Sequence, residues 1–328
     1  MKRHSAILMA LALALASWSA SAQQITLRMA HDQPVGSMFD EGHKRFKKLV
    51  EERSMGRIKV DVYPAAQLGA DVVAFEGVRL GSIDITVTNS PNVAAFIPEL
   101  GLFSVAYLFK DIAHRERVLN NPAFAARFDD IIASKKSGIK RIGFYAAGVR
   151  NIYSRKGSVA SPDDLKGVKI RVQNNPIEVK VWKAFGAIPT PMNFGEVYQA
   201  LQSGVLDAAE NGLAVIDSNK HYEAAKYITQ TEHQVNVLGL YMNEKKLASL
   251  PDDLKKIVLQ AAVEASAYER VKDGEFTAAA ANDLKSKGAV LTSPDKARFI
   301  ALMAPLQDEV ATELKATALM QIIRDQAK

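Results

Sequence analysis

Residues 77–89 read GVRLGSIDITVTN, and residues 200–211 read ALQSGVLDAAEN. Each runs from a helix end through a glycine into a short strand with Asp near its start and Asn at its end. Upstream of the first copy, ITLRMAH (25–31) puts Ile25, Leu27 and Met29 on one face of a strand. SMFDEGHKRFKKLVEERS (37–54) spaces Phe39, Phe46, Leu49 and Val50 for a helix that Gly56 ends, IKVDVYP (58–64) alternates again, and DVVAFEGVRLGS (71–82) is helical. With IDITVTN (83–89) this makes β-α-β-α-β, the order of a mostly parallel sheet covered by helices.

The second copy sits in the same grammar. KRIGFYAAG (140–148) and VKIRVQN (168–174) read as strands, and PIEVKVWKAFG (176–186) as a helix with Pro at its start and Gly at its end. After IPTPMN come the helix GEVYQALQSG and the strand VLDAAEN. The chain is therefore read as two α/β lobes of similar plan, each with a parallel-rich sheet. Residues 251–288 form one helical stretch, from Pro251 and two aspartates to Lys287-Gly288, with Leu254, Ile257, Val258, Ala261, Ala262, Ala265, Tyr268 and Val271 at helical spacing and Gly274 as the place for a kink. At 1.5 Å per residue it reaches about 55 Å, more than one lobe's width, so it should cross both. The expected division is 23–147 plus about 234–275 for lobe I, and 148–233 plus about 276–328 for lobe II.

Residues 1–22 read as an export signal: Lys2, Arg3 and His4 precede the apolar run Ala6–Trp18, and Ala20-Ser21-Ala22 offers a cleavage site. The run is shorter than the about 20 residues of a membrane span. There is no cysteine for a disulfide or a lipid anchor, which points to a periplasmic protein. The formal charge is +6, and losing Lys2 and Arg3 with the signal leaves +4; the charges are well mixed, with no nucleic-acid footprint.

Ligands of parallel α/β sheets sit beyond the carboxyl ends of the strands. Arg171 ends a strand there, just before the helix that starts near Pro176. Its planar fork suits a carboxylate, although a lone strand Arg can equally be a solvated residue. Arg150 follows Gly148 at a cleft edge, either as a second cation for the ligand or as a loop charge. Asn193 and Asn211 either cap turns or reach the cleft. Glu210 ends an apolar strand and needs a partner, which can be a ligand hydroxyl or an arginine to brace. His31, Asp71, Glu76 and Asn89 are lesser candidates, and His233 lies near a lobe crossing without a role. No G-x-S-x-G elbow, H-E-x-x-H pair, G-x-G-x-x-G loop or cysteine nucleophile occurs, and the six histidines do not cluster, so no cofactor or metal is expected.

Three stretches, YPAAQLGAD (63–71), GVKIRVQNNPI (167–177) and PTPMNFGEVYQALQSGVLDAAEN (189–211), resemble the extracytoplasmic substrate-binding proteins of tripartite ATP-independent periplasmic (TRAP) transporters, the DctP-type family. The resemblance implies a two-lobed venus flytrap with a long connecting helix that delivers organic acids to a sodium-coupled membrane permease. It implies that Arg171 pairs with the ligand carboxylate and that Arg150 and Asn211 contribute. Asn89 and Ala30 stand where the sialate-binding branch carries glutamate and asparagine, which argues against sialate. A cleft so rich in donors and acceptors suits a ring with several hydroxyls, a hexuronate such as glucuronate or galacturonate. C4-dicarboxylates and aldarates are the alternatives within the family, and a periplasmic sugar-acid lyase or hydrolase, detectable as turnover, is the alternative outside it. N-terminal sequencing of the exported protein is expected to begin at Gln23; secreted material that keeps Met1 refutes the signal.

Overall fold

The structure, a computed structural model, describes residues 24–327; the export signal and its cleavage site lie outside the described residues. Strand β1 (Ile25–Ala30) turns Leu27 and Met29 into the core. Helix α1 (Met38–Arg53) starts at Ser37, whose hydroxyl accepts the Asp40 N–H at 3.4 Å, and buries Phe39, Phe46, Leu49 and Val50. Side chains of this size each contribute about 1.5–3 kcal/mol when fully buried. Next come β2 (Ile58–Tyr63), α2 (Asp71–Leu80), β3 (Ile85–Asn89), α3 (Ile112–Leu119), α4 (Pro122–Ser134) and β4 (Ile139–Tyr145). The chain then crosses at Ala146–Gly148 into the second lobe: β5 (Val149–Ser154), β6 (Lys169–Val172), α5 (Pro176–Ala184), β7 (Ile188–Pro191), α6 (Val197–Ser203), β8 (Ala208–Gly212), α7 (Leu213–Ser218), α8 (His221–Ala224) and β9 (Tyr227–Val235). It returns at Asn236–Val237 to β10 (Leu238–Asn243) and α9 (Glu244–Ser249), followed by α10 (Asp252–Ser286), β11 (Val290–Thr292), α11 (Ala297–Glu313) and α12 (Thr317–Asp325).

Among the described residues the first sheet has the order β2-β1-β3-β10-β4 and the second β11-β9-β5-β8-β6-β7. β2-β1-β3 and β8-β6-β7 are parallel, as the sequence grammar requires. The crossing strands are not: β10 runs antiparallel to β3 and β4, and β5 antiparallel to β8 and β9. β4-β5 and β9-β10 thus form one two-stranded ribbon passing through both sheets, because a chain that leaves a lobe and comes back must lie beside itself in the opposite sense. This corrects two readings. The strand placed over 140–148 ends at Tyr145, and Arg150 lies inside β5, not in a loop.

The 35-residue α10 spans both lobes, packing on α1 and β4 at one end and on α7 and β11 at the other, and it is continuous through Gly274. Its buried row runs Leu254, Val258, Ala261, Ala265, Glu269, Asp273, with Val271 61% exposed. The buried stripe therefore passes over two carboxyl groups rather than over Tyr268 and Val271. Glu269 Oε2 accepts the Ala146 N–H at 2.9 Å, and Asp273 lies beside Gly148, so both sit against the first crossing. Burial raises the pKa of both, and the nearby Arg115 works against that rise. Arg115 lies 3.6 Å from Asp273 and donates to the carbonyl of Asn236 at 3.5 Å, which ties the second crossing to the same point of the helix. After α11 has packed on α5, α12 returns to α4, placing Leu319, Met320 and Ile323 beside Phe124 and Phe128.

Gly212, at the end of β8, passes so close to the first crossing that a Cβ there would lie 2.6 Å from the Ala147 carbonyl oxygen. Backbone cannot rotate away. Gly212→Ala is expected to destabilise the protein by about 1–3 kcal/mol, the usual cost of overpacking. Urea unfolding measures it, and an unchanged midpoint would show that the crossing moves freely.

Candidate functional site

The strand ends of the two lobes face each other across a cavity of about 390 Å³, part of it open to solvent. Asp32, Gln33, Phe39, Asp71, Asn89 and Asn92 line it from the first lobe. Arg150, Arg171, Gln173, Phe194, Asn211 and Val215 line it from the second. Lobe-to-lobe hydrogen bonds run between amides around it: Asn89 Nδ2 donates to Gln173 Oε1 at 2.9 Å, and Asn219 Nδ2 to Gln33 Oε1 at 3.0 Å.

The two arginines are held very differently. Arg150 leaves β5 opposite Gly212, its Nε donates to Glu210 Oε2, and its Nη2 donates to Glu210 Oε1 at 2.7 Å and to the Glu210 carbonyl at 2.8 Å. Nη1 donates to Asn211 Oδ1 and to Asn236 Oδ1, each at 3.2 Å. Burial opposes charge on Glu210, but the Arg150 guanidinium and the His233 contact at 3.4 Å outweigh it and hold the carboxyl at about 2. The pair is ionised and internally neutral. Glu178, buried on α5 behind it, experiences the opposite: burial first, and then the charge of Glu210, push it up to about 8.

Arg171 has no such counter-charge. Its Nε and Nη2 donate to the Met192 carbonyl at 3.0 and 2.8 Å, and its guanidinium lies 5.8 Å from the Phe194 ring centroid. Only 3% of the residue is exposed, and no carboxylate of the described residues forms an ion pair with it. Burial, and next the repulsion of Arg150, weigh against the charged form, and the attraction of Glu210 does not restore it, so its pKa is lowered. The N–H groups not used on Met192 belong to the cavity wall. His221, against Phe194 and hydrogen-bonded to the Tyr153 hydroxyl at 2.7 Å, is pushed down to about 4 by burial and by Arg171, and is therefore neutral at pH 7.

Of the residues singled out in the sequence, Arg171, Arg150, Asn211, Asn89 and Asp71 meet at the cavity. The other four stand elsewhere. Glu210 is fully buried behind Arg150 and braces it. His31 shares the inward parity of Leu27 and Met29 in β1 and lies under α1, 3.7 Å from Asp40 and beside His43. Glu76 is five residues beyond Asp71 on α2, about 140° around the helix, and faces solvent. Asn193 is exposed; its side chain accepts from Asn174 at 3.0 Å and donates to the Glu196 side chain at 2.8 Å, outside the cavity. Asp32, Gln33, Asn92, Gln173 and Phe194 were missed. Strand alternation was the available signal, since Gln173 shares the parity of Arg171 and Asp32 has the parity opposite to His31.

The chain matches the family model of bacterial extracellular solute-binding proteins, family 7 (DctP), over residues 29–314. It is 33% identical over 292 residues to the 2,3-diketo-L-gulonate-binding periplasmic protein YiaO of Escherichia coli, covering 88% of this chain and 87% of that one. Its structure is similar to a periplasmic TRAP solute-binding protein of Roseobacter denitrificans solved with β-D-glucuronate, with a TM-score of 0.86, 29% identity, and coverage of 91% of this chain and 98% of that one. It is likewise similar to one from Sulfitobacter with β-D-galacturonate, with a TM-score of 0.87, 28% identity, and coverage of 92% and 99%.

Glu178 supplies a pH test. Its pKa rises from 4.5 to about 8 on folding, so the folded state favours its protonated form. That stability is complete below pH 4.5 and is lost as pH rises through 8. Glu178→Gln is expected to gain on the wild type by up to about 1.4 kcal/mol per pH unit between pH 5 and 8. Other raised acids act equally in both proteins, so parallel stability curves from urea unfolding would contradict the assignment.

Proposed function

Because the chain belongs to the bacterial extracellular solute-binding proteins of family 7, we propose that it captures a hexuronate, glucuronate or galacturonate, in the periplasm and hands it to a TRAP permease. The observation that carries this reading is Arg171: a buried guanidinium in the cleft wall, fixed by Met192 and Phe194, with no carboxylate of its own. A carboxylate arriving there finds a rigid planar donor already desolvated, and forms paired, charge-assisted hydrogen bonds at little further cost. Asn211 and Asn89 place amide groups beside it for ring hydroxyls, and Arg150, neutralised by Glu210, holds Asn211 in place through Nη1. The bound glucuronate and galacturonate of the similar structures support the same class of ligand.

On this reading the export segment is cleaved before Gln23. The lobes are 23–147 with about 234–275 and 148–233 with about 276–316, the last helix riding on the first lobe. Closure brings the strand ends together about the ribbon crossings, so the binding residues of one lobe complete those of the other.

Arg171→Ala is expected to weaken hexuronate binding by about 2–5 kcal/mol, because a desolvated carboxylate then lacks its partner. Arg171→Lys restores charge but not the fork and recovers only part of the loss. Calorimetric titration with circular dichroism as the folding control measures both. A folded Arg171→Ala protein that binds within threefold of the wild type overturns the role.

A further inference from the structure

Four charged side chains line the cavity, and they are sorted by lobe. Arg150 and Arg171 belong to the second lobe, and Asp32 and Asp71 to the first. Arg150 is neutralised internally by Glu210, so the active contrast lies between Arg171 and the two aspartates. Asp71 is the first residue of α2, and its Oδ2 accepts from Asn92 Nδ2 at 3.0 Å. Asp32 follows β1, and its Oδ1 accepts from Gln33 Nε2 at 2.9 Å. One oxygen of each carboxyl is thus fixed by a neighbouring amide, while Oδ1 of Asp71 and Oδ2 of Asp32 have no donor among the described residues. The two groups line the cavity together, near enough for the charge of Asp32 to act on Asp71.

We infer that Asp32 and Asp71 make this a one-carboxylate site, taking hydroxyl donors at the first-lobe end of the ligand and excluding acids with a second carboxylate there. The inference rests on the reading of Arg171 as the carboxylate anchor. A ligand held at Arg171 in the second-lobe wall meets the aspartates in the opposite, first-lobe wall of the same cavity. A hydroxyl donates to the free carboxyl oxygens and is accepted. A carboxylate brings a like charge and no proton, in a cleft whose other cation is already paired. Although Asp71 keeps a small opening through the cavity, desolvation and then the charge of Asp32 raise its pKa; the two behave as neighbours that resist holding two negative charges, and a third charge beside them meets the same resistance. The site should therefore separate uronates and aldonates from the aldarates that share their hydroxyl stereochemistry.

Galactonate and galactarate are open chains that differ in one end group, and glucuronate and galacturonate correspond to glucarate and galactarate with C1 left as a hemiacetal instead of a second carboxylate. Calorimetric titration at pH 7.5 of the mature protein is expected to show the tightest of the three monoacids binding at least a hundredfold better than its matching diacid, glucarate or galactarate. Asp71→Asn, Asp32→Asn and the double variant should narrow that ratio at least tenfold, mainly by admitting the diacid. The wild-type ratio alone keeps the inference testable if a variant fails to fold. A diacid that binds within threefold of its monoacid, or a ratio unchanged in a folded variant, overturns the pair's role while hexuronate binding stands. If none of these acids binds the wild type, the ligand reading itself falls, and this inference falls with it.

Discussion

The arrangement of the cleft follows from one asymmetry: of two buried arginines side by side, only one has a carboxylate. An isolated buried cation is costly, and a protein normally neutralises it. Here Glu210 neutralises Arg150 so completely, through Nε, Nη2 and a backbone carbonyl, that nothing is left over for Arg171. Glu178, buried behind the pair, is pushed toward its neutral form and cannot substitute. Among the described residues that line the cavity, Arg171 is thereby the cation without an ion pair, and an anion seated there offsets the cost of its burial.

Closure has to be reversible, and the contacts that span the cleft suit that need. Asn89–Gln173, Gln33–Asn219 and the Asn175 amide on the Pro91 carbonyl are neutral hydrogen bonds. Each contributes about 0.5–1.5 kcal/mol net, since water replaces it on opening. No ion pair between the lobes is needed at the cavity, so the position of the closing equilibrium is left to the ligand's differential contacts. The firm attachments lie at the crossings, where Glu269 fixes Ala146 to the middle of α10 and Arg115, beside Asp273, ties in Asn236.

The sequence carried the lobes well because period and punctuation are local. GVRLGSIDITVTN and ALQSGVLDAAEN announce α2-β3 and α6-β8, each with its glycine stop at positive φ, Gly81 and Gly204. The ribbon was illegible for the opposite reason. β10 is fully buried and β5 and β9 largely so, their pairing is set by the return of the chain from a distant lobe, and no local pattern marks an antiparallel insertion. The same split runs through the site. Arg171 could be placed from the strand end and the following helix, whereas the binding of Arg150 by Glu210 and Asn236 joins positions far apart in the chain. His31 was misplaced despite a readable signal, since the alternation of Leu27 and Met29 already pointed it inward.

Sorting charge by lobe also gives binding an order. Arg171, Arg150 and Asn211 stand on β6, β5 and β8, neighbouring strands of one sheet whose positions do not depend on closure. The second lobe can therefore capture a carboxylate while the cleft is open, with little discrimination among acids, because a guanidinium reads only the carboxylate. Asp32, Asp71, Asn89 and Asn92, to which the proposed reading gives the ligand hydroxyls, stand on the first lobe. An acid without hydroxyls at the right end leaves those carboxyl and amide groups desolvated and unpaired, and an acid with a second carboxylate adds repulsion. Either way the closed state loses stability relative to the open one. Selectivity is then expressed in closure more than in first contact, which is where a receptor that must present a closed, loaded form to its permease has most use for it.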